Sequence, residues 1–562
     1  MYSTRFLDLP PLEAIGGTVR VPGSKSISNR LLLLAGLAGG TTLIEGLLES
    51  DDTAVMREAL RGLGCTVDPA GSATLVSGLG DRRAPSEASF HLGNSGTSVR
   101  TLTAALAVIG AMQGARFTVT GSARMHERPI GDLVEALRPL GCPIDYLGRA
   151  GFPPLLLGDG MPHALALTVP LRVRGDVSSQ FLTGLLQAMV LVAADREVAI
   201  DVEGELISKP YVAITIELLR RFGVQVRHDG WRRFVVPAGS RLSAPPMLTV
   251  EGDASSASYF IAAGAIAATG EALTIDGVGS DSIQGDIAFV DAVRAMGARI
   301  DAEPGRLVVR RGRWPLAPID LDCNHMPDAA MTLAALALFA DGPSRLCNIA
   351  SWRVKETDRL AAMACELRKV GASVVEGDDS IEITPPVAWR AASIATYDDH
   401  RVAMSLSLAA FNPLAGHGAG VPLRILDPRT VGKTWPDYFE ALFSVASTPR
   451  QAIPVLTVDG PTASGKGTLA SALAGALGYH LLDSGALYRA AALAALESGT
   501  DAGDEAALAA LASTLDLHFE PGRILLRGRD VTESLRLEAV GALASRISAW
   551  PRVRTALLDL QL

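Results

Sequence analysis

Five times along this chain a helix-like stretch carries one or two basic residues, closes on a hydrophobe and a glycine, and runs into a short β-like segment. The copies are ALRGLGCTV (59–67), ALRPLGCPI (136–144), LLRRFGVQV (218–226), AVRAMGARI (292–300) and ELRKVGASV (366–374). Their glycines stand at 64, 141, 223, 297 and 371, with spacings of 77, 82, 74 and 74 residues. Each copy predicts a helix closed by a left-handed Gly and followed by a strand. Basic residues in the last helical turn also suit the helix dipole. One such cap occurs in any chain that alternates helix and strand. Five at near-constant spacing predict an internally duplicated α/β architecture.

The 562 residues suffice for about three domains. Hydrophobic residues at 48% against 20% charged exclude disorder as the main state. The formal net charge of −9 argues against a protein that binds nucleic-acid phosphates. Cys65, Cys142, Cys323, Cys347 and Cys365 are odd in number and far apart, without a CxxC pair. That argues against a disulfide framework or a zinc site and for a reducing compartment. The first 17 residues lack a signal-peptide pattern, and no apolar run reaches the ~18 residues of a membrane span. The expectation is a cytoplasmic protein that engages neither membrane nor nucleic acid. A small, polar, Pro-containing stretch, SVASTPRQAIP (444–454), has the composition of a linker. All five repeats precede it.

Before that seam, hydroxyls, amides and isolated cations repeatedly open apolar helices. VPGSKSISNR (21–30) carries Ser24, Lys25, Ser26, Ser28 and Arg30, with the serines as candidate caps; HLGNSGTSVR (91–100) carries Asn94, Gly96, Thr97 and Arg100. GSARMHERPIGDL (121–133) sets Arg124 and Arg128 in a loop, and a guanidinium fork suits carboxylate or phosphate. Ser178, Ser179 and Gln180 open another helix, and Ser208, Lys209 and Tyr211 lie in ISKPY. Asp253 and Ser255 have the look of plain cap residues. Asp328 leads a strongly apolar helix after Pro327, as a cap or as a catalytic carboxylate. Lys355, Glu356, Asp358 and Arg359 crowd five positions; Arg401 and Lys433 stand beside Gly, Pro or Asp. Together these segments fit a cleft for a small polyanion. Charge-assisted hydrogen bonds of about 1.5–3 kcal/mol each help offset its desolvation.

The motifs GSKSISNR, GNSGTSVR, ERPIGDLV, SSQFLTGLL, SKPY, GDASSASYF, HMPDAAMT, RVKETDRL, YDDHRVAM and KTWPDYF occur in that order. In them the chain from 1 to about 445 closely resembles the 5-enolpyruvylshikimate-3-phosphate synthase family. The resemblance implies an α/β, two-domain enolpyruvyl transferase fold of repeated βαβαββ units, three per domain. Domain I would comprise 1–22 and 248–445, and domain II 23–247, with a linker at 446–453. It also implies transfer of the enolpyruvyl group of phosphoenolpyruvate to the 5-hydroxyl of shikimate 3-phosphate, without a cofactor, by a transferase part that is monomeric. Lys25, Ser26, Arg30, Ser178, Ser179, Gln180, Ser208, Tyr211, Asp328, Ser351 and Lys355 would contact shikimate 3-phosphate. Lys25, Asn94, Gly96, Thr97, Arg124, Gln180, Arg359, Arg401 and Lys433 would contact phosphoenolpyruvate. Asp328 would be the base at the 5-hydroxyl, and Glu356 would move the proton at the methylene carbon, with Lys25.

Ser351 stands where many relatives have Asn, and Thr101 where many have Pro, which predicts an altered contact to shikimate 3-phosphate and a shifted response to glyphosate. The rival with the same fold, UDP-N-acetylglucosamine enolpyruvyl transferase, typically carries a reactive Cys in the loop corresponding to 112–128, where this chain has none. A second rival takes a nucleoside monophosphate kinase as the main activity. VLTVDGPTASGKGTLASALAGALG (455–478) predicts strand, Gly-rich loop and helix, with Gly460, Gly465, Lys466, Gly467 and Thr468 around phosphates. HLLDSGALYRAAALAA (480–495) predicts a second strand and helix with Ser484 and Arg489. Residues 454–562 closely resemble the N-terminal half of cytidylate kinase, a partial P-loop NTPase-like α/β domain. That resemblance implies ATP and Mg for this part alone. The sequence in hand reaches Leu562 without the family's second-half motifs, which predicts little or no kinase activity.

Overall fold

The computed structural model describes residues 4–166, 169–416, 420–448, 455–459, 465–477, 479, 481–520 and 523–561. The chain forms two compact units, Met1–Ala452 and Ile453–Leu562.

In the first unit the repeat is a physical object. Gly64, Gly141, Gly223, Gly297 and Gly371 all have positive φ, from +87° to +110°. Each ends a helix (Asp51–Gly62, Gly131–Leu137, Lys209–Arg221, Phe289–Ala295 and Arg359–Lys369) and starts a hairpin. In each four-stranded sheet the hairpin's second strand pairs antiparallel with a strand that precedes that helix. That strand in turn has a parallel neighbour. Thus Glu87–His91 runs parallel to Arg116–Thr120, which pairs with Leu155–Leu157, which pairs with Ile144–Tyr146. Four further sheets repeat this order. A sixth has three strands, Ala392–Ile394 parallel to Leu423–Leu426, and Phe6–Leu9 antiparallel to the latter. Here the chain's first strand fills the place of the hairpin, so the sixth copy needs no Gly-capped turn. That is why the sequence displays five.

Two hydrophobic cores form within this unit. One gathers Leu7–Val21 with Ala254–Leu442, and the other spans Ile27–Val250. The helices at each centre (Lys25–Leu37, Gly96–Gln113 and Ser179–Met189 in one, Ala254–Ala267, Ala330–Leu336 and His400–Ser407 in the other) are buried on nearly all sides. Gly96–Gln113, Ala254–Ala267 and Ala330–Leu336 are apolar on nearly every face, which requires that.

The chain passes between the cores twice, at 22–25 and 250–254, and the two passages lie side by side. Gly23 and Gly252 form an antiparallel bridge. A Cβ at Gly23 would stand 2.0 Å from the Gly46 carbonyl oxygen, so this passage tolerates glycine alone. The Gln284 side chain fastens both: its oxygen accepts from Ser24 Oγ (2.7 Å) and the Ala254 N–H (3.2 Å), and its amide donates to the Gly252 carbonyl (2.7 Å). The second passage falls later than the expected boundary at 247/248. Met247–Thr249 still belongs to the second core's sheets, because it supplies the parallel edge to Thr41–Glu45.

In the second unit, helices Ser484–Ser498, Glu505–Ser513, Glu538–Ile547 and Pro551–Gln561 surround a small core with the ladder Leu517–Glu520, Arg523–Leu526 and Arg529–Asp530. The two strands expected before the helices at 466 and 484 differ. Among the described residues 455–459 and 481–483 belong to no sheet, and Val455, Leu456, Leu481 and Leu482 are exposed. Among the described residues no helix is long and apolar enough to cross a membrane.

Candidate active site

The turns before the central helices converge on a cavity between the two cores. It is lined by Lys25, Ser26 and Arg30 from one helix start, Gly96, Thr97 and Arg100 from a second, and Ser178, Ser179 and Gln180 from a third. Ser208 and Tyr211 add a fourth wall, and Asp328, Ser351, Lys355 and Glu356 face them from the other core. All eleven residues expected around shikimate 3-phosphate therefore meet in one place. Backbone N–H groups at several helix starts and the flanking cations make it a site for anions.

Local structure explains several placements. Ser24 is the N-cap residue of Lys25–Leu37, yet its hydroxyl turns to Gln284; Asp253 from the other core accepts the Lys25 N–H instead (3.0 Å). Asp253 also caps its own helix at Ser256 (2.9 Å), as expected, whereas the Ser255 hydroxyl donates to Asp286 rather than capping. Arg30 is buried and its head is fixed by Thr215 (2.8 Å) and the Ser26 carbonyl (2.9 Å). Thr101, also buried, bonds back to the Thr97 carbonyl at 2.9 Å within its helix.

Two carboxylates anchor the charge. Asp328 receives Arg401 Nη2 and Arg359 Nη1, both at 2.9 Å, with Lys355 Nζ at 3.6 Å. Glu356 receives Arg359 Nη2 at 2.9 Å and Lys433 Nζ at 3.1 Å. Burial pushes both carboxyls up, but Arg401, Lys355 and Arg359 hold Asp328 well below the usual carboxylate range. Lys433, Arg359, Arg128 and Lys25 do the same for Glu356. Both are therefore ionised at neutral pH. Burial lowers the Lys25 ammonium, against the opposing pull of Asp52 and Glu356. Asp399, which sequence reasoning missed, fixes Arg359 through its Nε at 2.8 Å and caps the Arg401 N–H at 2.9 Å. Arg359, Arg401 and Lys433 thus stand behind the two carboxylates rather than lining the cavity. Asn94 also stands back, with its carbonyl accepting from Lys433 (3.0 Å) and Arg128 (3.0 Å).

Arg124 is a correction. It does not line the cavity: its guanidinium donates to the Glu356 (3.0 Å) and Lys355 (3.2 Å) carbonyls and pairs with Glu127. Arg128, four residues on, lines it with Arg100. Both forks flank Gly96, where a Cβ would stand 2.5 Å from Arg128 Nη2 and 2.7 Å from Arg100 Nη1. A turn of 3₁₀-helix over Arg124–Glu127 separates the two arginines, so one faces the opposite core's backbone and the other the cavity. Asp52, another lining residue that was missed, lies 3.9 Å from Lys25 Nζ. In sequence it looks like one more acid in a helix's first turn.

In the second unit Gly465 (φ +82°) precedes helix Lys466–Leu477, which buries no residue. Gly465, Gly467, Thr468, Ser484 and Arg489 are exposed and Lys466 is half-buried; Gly460 lies outside the described residues.

Comparison with known proteins places the chain in a family. The sequence profile of EPSP synthase (3-phosphoshikimate 1-carboxyvinyltransferase) matches residues 10–442, and that of cytidylate kinase matches 456–562. The 3-phosphoshikimate 1-carboxyvinyltransferase of Ralstonia pickettii is 55% identical over 449 residues, covering 78% of this chain and 99% of that protein. Its counterpart in Cupriavidus taiwanensis is 54% identical over 445 residues, with the same coverage. Among solved structures, EPSP synthase from Acinetobacter baumannii superposes with a TM-score of 0.62 at 26% identity, over 79% of this chain and 99% of that one. The enolpyruvyl transferase NikO from Streptomyces tendae reaches 0.60 at 20% identity, over 79% and 98%, and shares the fold. With a family profile over residues 10–442 and relatives more than half identical along nearly their whole length, the chain belongs to the EPSP synthase family.

Proposed function

We propose that this cavity transfers the enolpyruvyl group of phosphoenolpyruvate to the 5-hydroxyl of shikimate 3-phosphate, with its own side chains in the following roles. Ser26, Arg30, Ser178, Ser179, Ser208, Tyr211, Ser351 and Lys355 hold shikimate 3-phosphate, with Gln180 between the two substrates. Arg128 and Arg100, beside Gly96 and Thr97, take the phosphoenolpyruvate anion together with Lys25, Arg359, Arg401 and Lys433. Ionised Asp328 accepts the 5-hydroxyl proton as that oxygen bonds to C2 of phosphoenolpyruvate, while the Lys25 ammonium supplies a proton to C3. In the second half, ionised Glu356 removes a proton from C3 as the C2–O bond to phosphate breaks. The phosphate leaves with the 5-hydroxyl proton passed on from Asp328, and Glu356 returns its proton to Lys25, which closes the cycle.

The observation that carries this reading is the pair of carboxylates ion-paired to Arg359, Arg401 and Lys433 at one end of a cavity walled by hydroxyls and Arg30. An anionic substrate that draws those cations to itself loosens their hold on Asp328 and Glu356 and makes both better bases. The transferase part acts as a monomer. Five unpaired cysteines support a cytoplasmic location. The cytidylate kinase-like segment would bring Gly465–Thr468 to ATP and Mg, and Ser484 and Arg489 to CMP.

The test is phosphate release from phosphoenolpyruvate by the purified chain, with shikimate 3-phosphate in one arm and UDP-N-acetylglucosamine in the other. Release with shikimate 3-phosphate alone is expected. Release with the sugar nucleotide alone would overturn the assignment. A third arm, CMP with ATP, tests the second unit by CDP formation.

A further inference from the structure

The turn that leads into Arg401 is held in an uncommon shape. Tyr397 and Asp398 follow one another at φ +54° and +55°. Neither is glycine, and an aromatic residue stays in the left-handed region only where its surroundings over-determine it.

What fixes this turn is a buried carboxylate outside the cavity. Glu366, on helix Arg359–Lys369, is fully buried. One of its oxygens accepts the Tyr397 hydroxyl at 2.6 Å and the other accepts the Ala395 N–H at 3.1 Å. Lys369 balances its charge at 2.7 Å and donates to the Ser393 carbonyl at 3.2 Å. The strand end and the turn are thereby gripped together. Burial, and Glu366 beside it, push the Tyr397 hydroxyl up, so it stays a donor. Directly after the turn, Asp399 puts one oxygen on Arg359 and the other on the Arg401 N–H. One helix therefore grips the turn through Glu366 and meets its outcome, Asp399, through Arg359.

We propose that Glu366 and Tyr397 form a clamp that holds the 397–398 turn left-handed and so positions Asp399, Arg359 and Arg401 for phosphoenolpyruvate. The proposal deepens the function proposed above and rests on it. Glu366 and Tyr397 line no part of the cavity, so they are positioning residues.

Two variants of the full chain separate this role from simple packing. Tyr397→Phe keeps the ring and loses the clamp. Tyr397→Asn loses the ring as well, but asparagine adopts positive φ readily. Tyr397→Phe should raise the KM for phosphoenolpyruvate roughly ten-fold, the scale of one hydrogen bond to a charged group, with kcat and the KM for shikimate 3-phosphate within about two-fold. It should also speed amide hydrogen exchange over residues 396–402. Tyr397→Asn should return both toward the parent. Parental KM and exchange in Tyr397→Phe would overturn the clamp. So would an asparagine variant worse than the phenylalanine one, the order that lost packing gives. Exchange needs no turnover, so an inactive parent would sink the proposed function while the clamp is still tested.

Discussion

Gly96→Ala is a small change with a directed consequence. The new methyl carbon would lie 2.5 Å from Arg128 Nη2 and 2.7 Å from Arg100 Nη1, where ordinary contact begins at 3.4 Å. The Arg128 fork must therefore move by about 0.9 Å and the Arg100 fork by about 0.7 Å. Arg128 is 4% exposed and tethered by Nη1 to the Asn94 carbonyl and side chain at 3.0 and 3.2 Å, so its retreat is toward the cavity. Misplacement of a positioning group by about 1 Å costs up to about 10²-fold. We expect the KM for phosphoenolpyruvate to rise roughly 10–100-fold. The groups proposed for shikimate 3-phosphate lie at other helix starts, so its KM should move less than about three-fold. Initial rates of phosphate release, with each substrate varied at saturation of the other, measure both. Equal rises in the two KM values, or none, would refute the reasoning that these two arginines serve phosphoenolpyruvate.

Asp328→Ala and Glu356→Ala should each lower kcat about 10²–10⁴-fold while near-native circular dichroism is kept; near-parental turnover in both would remove the acid–base assignments. Arg128→Ala should raise the KM for phosphoenolpyruvate at least about ten-fold more than Arg124→Ala, because only the former loses a fork from the cavity; steady-state rates on the two variants decide it. Asp286 gives a pH signature. Burial, and then the Asp328 charge, raise its carboxyl to about 6, above an unfolded value near 4. The folded chain then binds this proton more tightly than the unfolded one. The stabilisation is fully present below about pH 4 and is lost as pH rises through 6. Asp286→Asn, always neutral, should raise the melting temperature by roughly 2–4 °C at pH 7.5 and change it little at pH 4. A gain equal at both pH values would show that the charge is not the cause.

Much of this arrangement is legible in the sequence because its causes are local. A glycine at positive φ after a helix leaves a mark that survives in every copy, and Ser, Thr and Asp at helix starts mark where the turns face the cavity. The less legible features depend on what lies across the molecule. Arg124 and Arg128 share a loop and a residue type; which one turns inward depends on the carbonyls of Lys355 and Glu356 in the opposing core. The hydroxyl of Ser24 looks like a cap and is drawn away by Gln284, 260 residues on. Asp399 reads as a helix cap, which it is, and nothing local announces its second oxygen on Arg359. The boundary after Thr249 moved because a parallel strand takes its identity from its neighbour. The same dependence leaves 455–459 outside every sheet among the described residues, despite an apolar composition that predicts a strand.

The strand Phe6–Leu9 is synthesised before either core, yet its partner, Leu423–Leu426, comes more than four hundred residues later. The core spanning Ile27–Val250 is nearly continuous in sequence and can close during synthesis. The other core cannot. Its opening strand must wait, with an unsatisfied edge, while the inner core assembles. Joining the two ends then closes a loop that holds an already folded body, a slow, long-range step. Vectorial synthesis therefore imposes an order on this protein: the cavity's walls of hydroxyls and Arg30 exist before the carboxylates that complete it.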